Sequence, residues 1–133
     1  MRGRIMNREL FLNMLDLEVK RARRYQNFFS ILKLKLSPLP GSENGNGLKT
    51  CCKTLSDLLI EELRESDILS SLLDDQLAIL IPYADLPAIG LLRSRLMGSL
   101  EYYDFKKRGY EVMAELICFP LDGTNTADLI EKL

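Results

Sequence analysis

Histidine is missing from the 133-residue chain altogether. Its absence excludes a histidine-based catalytic triad, a histidine metal site and histidine general-base chemistry. Cysteine is scarce: 3 residues, an odd number, with Cys51 and Cys52 adjacent. That usage suits reduced thiols in a cytoplasmic protein. Zinc is disfavoured, because no second cysteine pair stands at ligand spacing. An excess of one charge sign is also missing. With 18 basic and 19 acidic residues the net charge is −1, so no global field draws in nucleic acid or an anionic membrane. No apolar run approaches the roughly 20 residues of a membrane-spanning helix. Arg2, Arg4 and Arg8 lead into an amphipathic segment rather than the apolar centre of a signal peptide. Internal repeats and low-complexity segments are absent too.

What is present is a chain that is 47% hydrophobic, enough for one domain over residues 1–133 with a real core, and too short for two. The stretch Asp67–Pro82 organises it. Two apolar runs, Asp67–Leu73 and Gln76–Ile81, are split by Asp74 and Asp75. Both are too short for helices, and aspartate is tolerated where a two-residue turn needs unusual dihedrals, so the stretch predicts a buried β-hairpin with two carboxylates at its tip. Before it, Asn7 is a candidate cap for a helix over Glu9–Tyr25 with Leu10, Leu12, Met14, Leu15, Leu17 and Val19 as apolar positions. The basic end of that helix, Lys20 to Arg24, reads as cations at a helix C-terminus rather than a nucleic-acid patch. Phe28–Leu36 alternates as a strand, with Leu32, Leu34 and Leu36 on one face and Lys33 and Lys35 on the other, and its place between helices puts it mid-sheet. Ser37–Gly47 is a loop, and no phosphate-cradling motif follows its glycines. Leu48–Leu63 is a second amphipathic helix. After the hairpin, Asp85 caps a third helix with Pro87 in its first turn. Tyr102–Gly109 is a polar connection, Tyr110–Phe119 a strand, and Ala127–Leu133 a last helix after the turn Leu121–Gly123. The order is α-β-α-β-β-α-β-α, in which helices cover one or both faces of a sheet.

The ordered set MNRELF, EVKRARRY, FSILKLKL, LRESD, LDDQLAILIP and FPLDGTNTADLIEKL resembles the GGDEF domain of diguanylate cyclases over nearly the whole chain. The resemblance implies an α/β (α+β) fold: a central, mostly antiparallel five-stranded sheet flanked by helices, related to nucleotide cyclases. In that family GTP and two Mg²⁺ ions meet at the signature hairpin. Carried over position by position, the two signature glycines fall on Leu73 and Asp74, so side chains fill the space for the triphosphate and one repels it. The remaining signature positions fall on Asp75, Gln76 and Leu77. The metal-binding aspartate of the first strand falls on Lys35, an ammonium that repels a cation where a hard metal needs oxygen ligands. The second aspartate of that motif falls on Ser37 and the following phenylalanine on Leu39. The guanine-contacting aspartate falls near Lys49 and an early glycine near Arg4. The resemblance therefore implies no catalytic residues and the loss of Mg²⁺ and GTP binding. Lys35 is expected to occupy the metal position and pair with Asp75 or Asp74.

One family site keeps its residue types. The inhibitory R-x-x-D motif falls on Arg64 and Asp67, five residues before the signature, with Arg93 or Arg95 as a further arginine. Arginine grips guanine or phosphate in a fork, and aspartate accepts from guanine N–H groups, so cyclic di-GMP is the implied ligand. The bland counterpart is that Arg64 closes the helix end and pairs with Asp67. The leading expectation is a catalytically inactive, bacterial, cytoplasmic signalling domain in cyclic di-GMP-related regulation, excised from a longer multidomain chain. It would act by protein contact or conformational relay with other domains of its chain or with a signalling protein, without nucleic-acid or membrane partners. A weak homodimer is compatible, since active relatives pair two domains. The alternatives are a cyclic di-GMP receptor through Arg64 and Asp67 and, third, a weak cyclase or GTP-binding regulator.

Overall fold

Helix α1 spans Arg8–Tyr25 because Asn7 caps it, its side chain accepting from the Leu10 N–H at 2.8 Å. The structure, a computed structural model, describes residues 5–41, 47–103 and 105–133; Arg2, Arg4 and residues 42–46 of the expected loop lie outside them. The buried stripe of α1 is Phe11, Leu15, Val19 and Ala22, at helical spacing. Leu10 and Leu17, expected among the apolar positions, face solvent. Strand β1 then runs Phe29–Pro38, two residues further than expected, and α2 begins at Gly47 and ends at Glu62. The hairpin is β2, Ile68–Leu73, and β3, Gln76–Pro82. Helix α3, Leu86–Glu101, is capped by Asp85 through the Ala88 N–H at 2.9 Å, with Pro87 in its first turn. Strand β4, Tyr110–Phe119, and the short α4, Thr126–Glu131, complete the chain.

The strands form one antiparallel sheet in the order β2-β3-β1-β4, with β1 at the interior as its place between helices predicts. It has four strands among the described residues, where five were expected. Beyond the free edge of β2 stands a single bridge: the Met6 N–H donates to the Leu69 carbonyl and the Ser71 N–H to the Met6 carbonyl. Asn7 turns the chain into α1 at the next residue, so this pairing cannot lengthen towards α1. Alternation along the strands sorts the core into two layers. Leu32, Leu34 and Leu36 of β1 pack with α2 and α3. Phe29 and Ile31 pack with α1 and α4 on the opposite face.

The hairpin tip turns at Asp74 and Asp75 as expected, but not by the expected means. Among the described non-glycine residues only Gln26 and Tyr83 have positive φ. The register instead shifts between Ser71 and Leu73 opposite β3, a bulge that adds local twist. At the other end of β3, Ser30 donates to the Ala84 carbonyl at 2.7 Å, tying β1 to the turn that opens α3.

Candidate functional site

The hairpin tip and β1 set Lys35 and Gln76 in register beside the Asp74–Asp75 turn. Lys35 stands opposite Gln76 in the β1–β3 register, and the Leu36 N–H donates to the Asp75 carbonyl at 2.9 Å. The expected ion pair of Lys35 with Asp75 or Asp74 does not form. Strand alternation puts Lys35 on the α1/α4 face with Ile31 and Lys33, whereas Asp74 lines a pocket with Cys52 and Leu77 on the α2 face. The cation that finds a carboxylate on the lysine face is Lys33, 3.0 Å from Glu115, and it also donates to the Lys132 carbonyl at 3.1 Å. Lys35 stays exposed.

The α2-side pocket measures about 660 Å³ and includes Leu48, Lys49, Cys52, Lys53 and Ser71 in its lining. Burial pushes the Cys52 thiol above its ordinary range, and the Asp75 and Asp74 carboxylates push it further, since each disfavours a thiolate. Mg²⁺ does not fit these residues. One face offers an ammonium and an amide, the other two carboxylates beside a protonated thiol. No group of three or more Cys, Asp or Glu among the described residues stands where it could share a metal ion.

The second site lies at the other end of the hairpin. The chain leaves α2 at Glu62, turns through Arg64–Asp67 and enters β2. The Asp67 N–H donates to the Arg64 carbonyl at 3.0 Å, and Asp67 Oδ2 accepts from the Arg64 N–H at 3.0 Å. The Arg64 Nε is 3.9 Å from the same oxygen, with its side chain 74% exposed against 4% for Asp67. The bland reading thus holds for Oδ2, which closes the turn. It does not account for Oδ1, which is buried without a hydrogen-bond partner.

Arg64, Asp67 and Arg95 line one pocket of about 560 Å³, walled by Glu62, Ala84 and the first turns of α3. Arg93 does not line it. Ala88, Leu92 and Arg95 follow one helical stripe, and that spacing decides between the two arginines. Sequence reasoning missed Glu62. Its carboxylate is 3.7 Å from Arg95 Nε and accepts from Ser99 at 3.3 Å, while its carbonyl accepts from Arg95 Nη2 at 3.5 Å. No local pattern announces these contacts, which span 33 and 37 positions.

Solved structures share this architecture. A DGC protein from Thermotoga maritima superposes with a TM-score of 0.81 at 19% identity, covering 98% of this chain and 94% of its own. The GGDEF domain of FimX from Pseudomonas aeruginosa gives 0.80 at 18%, covering 96% and 83%. The fold is that of a GGDEF domain. The GGDEF domain of DgcB from Caulobacter crescentus, in complex with c-di-GMP, gives 0.76 at 9%, covering 96% of this chain and 78% of its own. No family model and no curated protein matches the chain. The GGDEF-like scaffold thus places the hairpin tip and the Arg64–Asp67 turn at opposite ends of β2.

Proposed function

We propose that this GGDEF-like domain is a catalytically silent signalling module that binds cyclic di-GMP in the pocket framed by Arg64, Asp67 and Arg95. One observation carries the proposal: Asp67 lines that pocket, and its Oδ1 is a buried carboxylate oxygen with no hydrogen-bond partner. Leaving such an acceptor unpaired costs about 1–3 kcal/mol, so it needs an explanation. Guanine answers it chemically, because its Watson–Crick edge offers N–H donors to a carboxylate. The two guanidiniums supply charged forks for the phosphodiesters. A pocket of about 560 Å³ has the size of a small-molecule site. The DgcB complex supports the choice of ligand class. Silence at the hairpin tip rests on Lys35, Leu73, Asp74 and Gln76, which replace a metal ligand, two glycines and an acid. Other domains of a longer chain or a separate signalling protein, in a bacterial cytoplasm, would read the bound state.

The second reading is contact with a protein partner and no nucleotide. It is favoured by the engagement of Arg95 with Glu62, which occupies one of the two guanidiniums. Titration calorimetry with cyclic di-GMP separates the readings, with cyclic di-AMP as control. A site built around a donor-seeking carboxylate rejects adenine, whose edge places an acceptor where guanine has N–H. Binding of the guanine ligand alone, weakened about tenfold or more by Arg64→Ala, is the expected result. No heat with the unmodified domain would leave protein contact as the function.

A further inference from the structure

Glu62 lies in the pocket it would be expected to spoil. A carboxylate beside two arginines repels a phosphodiester and competes for the same guanidinium. Yet Glu62 is held there from three directions: its carboxylate by Arg95 Nε at 3.7 Å and by Ser99 at 3.3 Å, its carbonyl by Arg95 Nη2 at 3.5 Å. Arg95 is thereby committed to an internal anion, and Arg64 reaches Asp67 only at 3.9 Å. All four separations sit at the long end of their kinds, so none of these ties is tight. The Glu62 and Arg95 side chains keep 34% and 59% of their surface in solvent, which screens their attraction.

From this geometry we infer that Glu62 sets the affinity of the pocket by acting as its built-in competitor. With no ligand it holds Arg95 against the end of α2. A phosphodiester takes Arg95 only by displacing the Glu62 carboxylate, which swings to solvent while Ser99 loses its acceptor. Because α2 supplies Glu62 and α3 supplies Arg95, the exchange also unties the two helices at this end. Ligand binding is then reported as a loosening of the α2–α3 contact, a change that a neighbouring domain can sense. The inference rests on the cyclic di-GMP reading and assigns the residue that gates it.

The test is calorimetry with cyclic di-GMP on the unmodified domain, Glu62→Gln, Arg95→Ala and the double variant. Glu62→Gln is expected to bind about two- to fivefold tighter, the span that a partly exposed ion pair supports. In the Arg95→Ala background the same change is expected to leave affinity within about twofold, because no guanidinium remains to be freed. Glu62→Asp, which keeps the charge and withdraws the carboxylate, guards against a folding defect and is expected to fall between. Equal or weaker binding by both Glu62 variants, with the unmodified domain still binding, overturns the gate and leaves the receptor reading standing. No heat from the unmodified domain or from Glu62→Gln overturns both. An equal gain from Glu62→Gln with and without Arg95 overturns the competition and leaves only general repulsion.

Discussion

Phe11 and Leu17 contribute similar hydrophobicity to the first helix, yet one is fully buried and the other is 59% exposed. The difference is angular. Phe11 shares its stripe with Leu15, Val19 and Ala22, whereas Leu17 projects away from the sheet. Phe11→Ala is expected to cost about 3–5 kcal/mol and Leu17→Ala less than about 0.5 kcal/mol in urea unfolding. Similar losses for the two would contradict the packing. Phe11 is not among the apolar positions expected from the sequence, although one i, i+4 step back from Leu15 reaches it. Cys52 shows the same scale acting on chemistry. Its thiol is held above the ordinary range by burial and by Asp75 and Asp74, so little thiolate exists at neutral pH. Iodoacetamide at pH 7.5 is therefore expected to label Cys52 more slowly than a free thiol, and faster once Asp74 and Asp75 are both changed to Asn. Mass spectrometry locates the adduct and distinguishes it from the buried Cys51 and Cys118.

Elements were legible where a local signal ends them. Asn7 and Asp85 cap their helices as expected, and Asn125 does the same for α4 by accepting from the Asp128 N–H at 2.8 Å. Asp85→Ala should destabilise the domain by about 1 kcal/mol, measured by thermal unfolding, because it removes the acceptor for the first turn of α3. The hairpin was legible in place but not in mechanism, since the bulge at the end of β2 depends on how two strands meet rather than on the turn residues alone. Contacts between elements were not legible. Thr126 of α4 donates to Asp16 of α1 at 2.7 Å across 110 positions. Lys20 and then Thr126 stabilise the Asp16 carboxylate and hold its pKa below the ordinary 3.8. A depressed carboxyl stabilises the fold above the unfolded value and loses that contribution as pH falls through the folded one. NMR of the Asp16 carboxyl should show a midpoint below 3.8, moving upward in Thr126→Val. An unchanged midpoint would mean that Thr126 does not hold this carboxylate.

At the scale of the molecule, the alternation of β1 sorts the core into two layers, and the residue types of both candidate sites could be read along the chain, but the strand order was not legible there. Nor were the faces on which those residues meet. Lys35 and the tip carboxylates stand far apart in the chain and meet only through the strand register, where the pleat of the sheet separates them, so the anticipated charge exchange fails on geometry rather than on chemistry. The same pleat bears on any attempt to restore catalysis. Lys35→Asp would return an oxygen ligand to β1, but Gln76 beside it would still offer a neutral amide, and Leu73 and Asp74 would still carry side chains where a triphosphate needs bare backbone. Metal binding needs several oxygens converging at once, so one reversion changes little. Incubated with GTP and Mg²⁺, both the unmodified domain and Lys35→Asp are expected to yield no cyclic dinucleotide by chromatography, while Lys35→Asp remains folded because position 35 is exposed. Product from the unmodified domain would mean that the hairpin tip assembles a metal site by another route, and the silent reading would fall.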